Sequence, residues 1–138
     1  MEAFSAAGVS RVATSTTRFV VANHVNPHIL FGDFDGDQKT DAAVLVRETS
    51  ASKVGIVIAL QDGAVDIIGA GTLFGNGGAD FDWLELWYTY TKRPVERGAD
   101  GTDPPTLLGD ALFVEKSESA SAIIYYTGSG YSWYQQGD

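Results

Sequence analysis

The sequence predicts a mainly β domain, built as a compact antiparallel sheet or as two packed sheets from two similar hairpins and falling short of a full propeller. Three observations lead there. Sixteen glycines and 12% aromatic residues against a single methionine, in 138 residues, favour strands and tight turns over a helical bundle. Apolar, β-branched runs of strand length recur between turn signals. Finally, Asp41-Ala42-Ala43-Val44-Leu45-Val46 with Ser50-Ala51-Ser52 returns, within one residue, as Asp110-Ala111-Leu112-Phe113-Val114 with Ser119-Ala120-Ser121. Two imperfect copies are too few to close a ring of blades. The length suits one domain over residues 1–138, with a core that needs no covalent staples.

Residues 3–17 are small and polar, with Phe4, Val9 and Val12 as the anchors available, so residues 1–17 are expected to be loosely ordered or to hold one short helix. Arg18-Phe19-Val20-Val21 reads as a strand or as the last turn of that helix, and residues 23–27 break it. His24 and His28 stand four apart, but Pro27 between them blocks the helix that would align two imidazoles, which makes them loop or core-edge histidines.

Ile29-Leu30-Phe31 leads into an acidic loop. Beyond it, strands are expected at 42–46 and 53–60, joined by a polar stretch of hairpin length at 48–52. Asp62-Gly63 signals the next turn, and residues 65–68 supply a third strand of a meander. Residues 69–80 form a glycine loop pinned by Leu73 and Phe74. The aromatic run 81–91 reads as one strand, with Phe81, Trp83, Glu85 and Trp87 on one face and Leu84, Leu86, Tyr88 and Tyr90 on the other; a helix beginning near Asp80 is the alternative, and Tyr88-Thr89-Tyr90-Thr91 favours the strand. Residues 92–106, with Pro94, Pro104 and Pro105, form a long surface loop. The second hairpin is expected from strands at 107–114 and 122–126, and after Thr127-Gly128-Ser129-Gly130 a last strand spans 131–135. Loops 69–80 and 92–106 are the expected meeting places for any partner.

The chemistry concentrates in Phe31-Gly32-Asp33-Phe34-Asp35-Gly36-Asp37-Gln38-Lys39-Thr40-Asp41. With Asp33 at position 1, carboxylates fall at 1, 3, 5 and 9, and the Lys39 backbone carbonyl is available at 7. Calcium takes six to eight oxygens at roughly 2.3–2.6 Å and tolerates irregular geometry, so Asp33, Asp35, Asp37, Asp41 and the Lys39 carbonyl form a candidate Ca2+ shell with water. Position 12 is Val44 where an EF-hand has a bidentate Glu, and the residues that follow favour a strand over an exiting helix. A metal-free connector of Asx-turns is the alternative reading of the same residues.

Phe-Gly-Asp-Phe-Asp-Gly-Asp-x-x-x-Asp running into Ala-Ala-Val-Leu-Val resembles the FG-GAP repeat, or VCBS-type repeat, of integrin-like propellers and many exported bacterial proteins. The resemblance covers about residues 30–46. It implies a calcium loop feeding a buried strand, and an extracytoplasmic protein, periplasmic or secreted, whose signal sequence lies outside this stretch. Gln38 departs from the pattern: many such loops have Gly there, where a left-handed backbone costs a non-glycine residue about 1 kcal/mol.

The formal net charge of −9 makes nucleic acid and anionic membranes poor partners and suits a cation. No cysteine is present, which excludes disulfides, zinc-thiolate sites and a cysteine nucleophile within this chain. No run approaches the ~18 apolar residues of a helical membrane span, and Met1-Glu2-Ala3-Phe4 lacks the basic and apolar regions of a signal peptide. Three functions remain. The first is a calcium-stabilised, non-catalytic structural or interaction domain. The second is a carbohydrate- or peptide-binding module using Trp83, Trp87, Tyr88, Tyr125, Tyr126, Tyr131, Trp133 and Tyr134 as platforms. The third is a glycoside hydrolase drawing on carboxylates such as Asp80, Asp82, Glu85 and Asp103. No catalytic constellation stands at a recognised spacing, so the expectation is a binding protein with calcium as its ligand and a protein or glycan as a further partner.

Overall fold

In the computed structural model, which describes residues 18–116 and 120–137, the described residues form two antiparallel sheets. The first holds β1 (Phe19–Val21), β2 (Ile29–Gly32), β3 (Asp41–Glu48), β4 (Val54–Ala59) and β5 (Val65–Gly69). The second is the meander β6 (Leu86–Tyr90), β7 (Ala111–Glu115), β8 (Ser121–Tyr126) and β9 (Tyr131–Gly137). The mainly β expectation holds in its two-sheet form, and no propeller is present among the described residues. The short N-terminal helix and the loose order expected of residues 1–17 lie outside the described residues.

β3 is the longest strand because its apolar run is unbroken, and it carries two partners along one side. β2 pairs with its first half, from Gly32↔Asp41 to Ile29↔Val44, and β1 with its far end, from Val21↔Val46 to Phe19↔Glu48. On the other side β4 and then β5 continue the sheet. Of the two readings of residues 18–21, the strand is the one adopted, and the short strand at 29–32 is an addition to those expected from sequence.

Two expected strands are shortened. Residues 81–85 do not extend; Phe81–Trp83 is a 3-10 turn because the Asp80 carboxylate accepts the Asp82 N–H at 3.1 Å and the Val54 N–H at 2.9 Å, capping the turn and tying it to β4. Phe81 and Leu84 thereby both enter the core, which a two-residue alternation would have placed on opposite faces. Residues 107–110 also stay out of the sheet, since Leu108, Gly109 and Asp110 turn against the acidic loop before β7 begins.

The repeat is visible in the packing. Ala43 and Leu45 of β3 point between the sheets, as do Leu112 and Val114 at the matching positions of β7, and all four are buried. Their neighbours Ala42 and Val44, and Ala111 and Phe113, point to the outer faces. Ile56 and Ile58 of β4 and Ala122 and Ile124 of β8 complete the shared core. The leucine, valine and isoleucine side chains among these contribute about 1.5–3 kcal/mol each on burial, so this layer holds the two hairpins in one body. The long loop 92–106 lies over the outer face of the second sheet. Val95 packs there beside Ile123 and Tyr134, while the Tyr134 hydroxyl accepts the Gly98 N–H at 2.8 Å and donates to the Thr102 carbonyl at 2.7 Å.

Candidate metal centre

The loop between β2 and β3 winds tightly because backbone N–H groups inside it bond its own carboxylates. Asp33 accepts from the N–H of Asp37 at 3.1 Å and of Gln38 at 2.9 Å, Asp35 from Asp37 at 3.3 Å, and Asp37 from Lys39 at 2.9 Å. Closing this coil requires left-handed backbone at Gly36 (φ 78°) and at Gln38 (φ 69°). The expected position of the strained non-glycine residue is therefore where the structure has it.

Asp33, Asp35, Asp37 and Asp41 converge: each offers one carboxylate oxygen, and these atoms all lie within 4.8 Å of one another. Two oxygens on opposite sides of a cation at about 2.4 Å stand about 4.8 Å apart, so the donor set fits a calcium-sized ion. The chemistry fits as well, since every donor is a hard oxygen. Lys39 enters the same coil, donating its N–H to Asp37 as above, and its side chain is exposed.

Asp41 differs from the other three in being fully buried. Its two oxygens accept the Phe34 N–H at 2.9 Å and the Gln61 N–H at 2.8 Å, so it clips the start of the loop to the turn after β4. Burial drives its carboxyl pKa up against those two hydrogen bonds, and the charges of Asp37 and Asp33 add to the rise. Asp35 is pushed up to about 7, first by loss of solvent, then by its side-chain hydrogen bond with Asp37 and by the carboxylates of Asp41 and Asp37. Crowded like charges of this kind are relieved by a bound proton or by a bound cation.

The second sheet holds the loop in place, through residues that the sequence reading did not include in the site. Asp110, which occupies in the second repeat the position of Asp41 in the first, accepts the Asp33 N–H at 2.9 Å and the Lys92 N–H at 2.8 Å. The Tyr131 hydroxyl donates to the Phe34 carbonyl at 2.9 Å; burial, and then the charges of Asp66, Asp35 and Asp41, hold that hydroxyl protonated far above the usual phenol range. Gly109 admits the loop at van der Waals contact, for a side chain there would strike the Asp33 carbonyl and come within 2.6 Å of the Gly36 nitrogen. The signal available in sequence was the Gly109-Asp110 pair, standing where the first repeat has the end of its acidic loop.

The other candidates separate from this group. His24 and His28 both fall on the connection between β1 and β2. Asp80 is committed to capping, and Asp103 forms an exposed ion pair with Arg97 at 2.9 Å. Among the aromatic residues, Trp87 is buried and donates its indole N–H to the Pro27 carbonyl at 2.7 Å, and Tyr134 is buried. Trp83 and Trp133 are half-buried and cross at 77°, whereas the exposed Tyr88 stacks on Phe113 at 4.6 Å. None of the helices is long and apolar enough to cross a membrane, among the described residues. Comparison with family models, with curated proteins and with solved structures found no match to this chain.

Proposed function

We propose that the protein is a calcium-binding, calcium-stabilised, non-catalytic structural or interaction domain of an exported protein. The observation that carries this reading is the convergence of four aspartate oxygens within 4.8 Å in a loop that feeds the fully buried start of β3. Asp33, Asp35, Asp37 and Asp41 would hold the ion, with the Lys39 carbonyl and water completing its shell. A cation would cancel the carboxylate repulsion that adds to the effect of burial on Asp35, and fixing the loop would fix both the entry of β3 and the seat of Asp110.

Calcium fits better than magnesium because magnesium demands near-ideal octahedral geometry at roughly 2.0–2.1 Å and sheds water reluctantly. Modules of extracellular type bind calcium with constants on the order of 10⁻⁴–10⁻³ M. At about 2 mM calcium and a constant of about 0.2 mM, linkage adds roughly 1.4 kcal/mol of stability. The test is melting in calcium, in magnesium and in chelator, for the parent chain and for Asp35→Ala. A rise of a few degrees with calcium alone, lost in the variant, supports the reading; identical curves throughout would leave the loop a metal-free connector.

A further inference from the structure

Away from the acidic loop, the glycine loop 69–80, the long loop 92–106, the 3-10 turn Phe81–Trp83 and the edge of the second sheet surround an open cavity of about 640 Å³. That volume lies in the range of small-molecule sites. Its apolar lining includes Val114, Ala120 and the indoles of Trp83 and Trp133, whose rings stand 6.1 Å apart at 77° and form a corner. Both rings are fixed by the protein itself. The Trp83 indole donates to the Gly77 carbonyl at 3.0 Å, and the Trp133 indole to Gln135 Oε1 at 2.9 Å. The indoles thus present apolar ring surface with their polar ends already satisfied. The glycine loop can lie this close to Trp133 because residue 75 has no side chain: a Cβ there would come within 2.6 Å of the indole Cγ.

Polar groups ring this corner. Gln135 is fully used, since its Oε1 also accepts from Asn76 Nδ2 at 3.0 Å and its Nε2 donates to the carbonyls of Ser121 and Gly137. The Asn76 carbonyl, the Ser121 hydroxyl and the Lys116 ammonium have no partner among the described residues, and all three side chains line the cavity. Asp100 sits opposite in the chain's long loop, its carboxyl held below the usual range by the Thr102 N–H and hydroxyl, which both engage Oδ1.

We propose that this cavity binds a neutral sugar ring. An indole face takes the C–H face of a pyranose, and the second indole, at a right angle, limits its sliding. Mixed donors and acceptors around an apolar floor match hydroxyl groups, each of which donates and accepts. One ammonium and one carboxylate on the rim give no preference to an ion of either sign, and a chain of net charge −9 disfavours an anionic ligand. An extended peptide is a poorer fit. Its usual mode is to add a strand at a sheet edge, and beside the cavity the β9 edge is taken by residue 99, whose N–H donates to the Gln136 carbonyl at 2.8 Å.

The three indole N–H resonances of the intact, nitrogen-labelled protein provide the readout, because Trp87 lies apart, bonded to Pro27. Titration with glucose, galactose, mannose and N-acetylglucosamine at up to tens of millimolar is expected to move Trp83 and Trp133 and to leave Trp87 in place. Asn76→Ala and Lys116→Ala, both exposed positions, should each weaken the response at least threefold with unchanged melting temperature. Glucuronate, glucosamine and cyclohexanol serve as charged and apolar counterparts. The proposal is overturned if no neutral sugar moves the cavity indoles, if all three indoles move together, if both variants respond like the parent, or if a charged or apolar counterpart binds better than the neutral sugars.

Discussion

Asp33 and Asp110 exchange two hydrogen bonds across the joint between the sheets: the Asp33 N–H donates to the Asp110 carboxylate at 2.9 Å, and the Asp110 N–H donates to the Asp33 carbonyl at 2.7 Å. The first residue of the acidic loop is thereby anchored by the second repeat, through the residue that corresponds there to Asp41.

Asp110→Ala removes the acceptor of the half-buried Asp33 N–H and of the Lys92 N–H together. An orphaned buried donor costs about 1–3 kcal/mol, which for a chain of this size lowers the melting temperature by several degrees. Thermal melts in chelator are expected to show this loss, and calcium titrations a weaker affinity, since the loop is then free to spread. Asp110→Asn, which keeps one carbonyl acceptor, should fall between the two.

Gly109→Ala tests the closeness of that joint. The added Cβ has the Asp33 carbonyl and the Gly36 backbone in its way, and rigid backbone cannot step aside as a flexible side chain can. A loss of about 1–3 kcal/mol is expected. Gly130→Ala is the matched control. Neither glycine has a positive φ, and a Cβ on Gly130 meets open space, so its change should stay within about 1 kcal/mol. Equal losses in the two would show that the sheets have room at Gly109.

Gln38→Gly should relieve the left-handed strain at φ 69°. The gain is below about 1 kcal/mol, because glycine also loses more freedom on folding. Chemical denaturation is expected to show a higher midpoint, with tighter calcium binding in the titration of the same variant.

The pH dependence has a defined sign. Asp35 is raised from 3.8 to about 7 in the folded protein, and Asp41 is raised too, so without a cation the folded state holds protons that the unfolded chain releases. Their contribution is fully present below the unfolded value near 3.8 and is lost as pH rises through about 7. Melts in chelator should therefore fall between pH 5 and pH 8. In saturating calcium the ion replaces the proton and favours the carboxylates, so the same interval should show a flat or rising trend.

Local pattern made much of this legible in the sequence. The β-branched runs that became β3, β4 and β5 sit between clear turn signals, and the acidic spacing placed four carboxylates on one coil, down to the left-handed residue at Gln38. Two kinds of feature escaped. Ile29–Gly32 is too short to show alternation and becomes a strand because β3 has an open side. Residues 81–85 have the composition of a strand, yet one carboxylate, Asp80, caps them into a turn. The joint around Asp110 and Tyr131 was invisible for a different reason: it pairs residues 77 and 97 positions from their partners, and no local spacing reports such a contact.

That separation bears on time as well as on stability. Apart from β1 with β3, every pairing within the sheets joins strands that follow one another along the chain, and all of these but β6 with β7, joined by the long connection 91–110, close short loops that are quick to assemble. The joint at Asp33 and Asp110 must close over 77 residues and, on these grounds, forms after the hairpins. An interaction absent from the folding transition state acts on the unfolding rate. The bonds between Asp33 and Asp110 would therefore act as a latch, lengthening the lifetime of the folded protein while leaving the speed of its folding nearly unchanged.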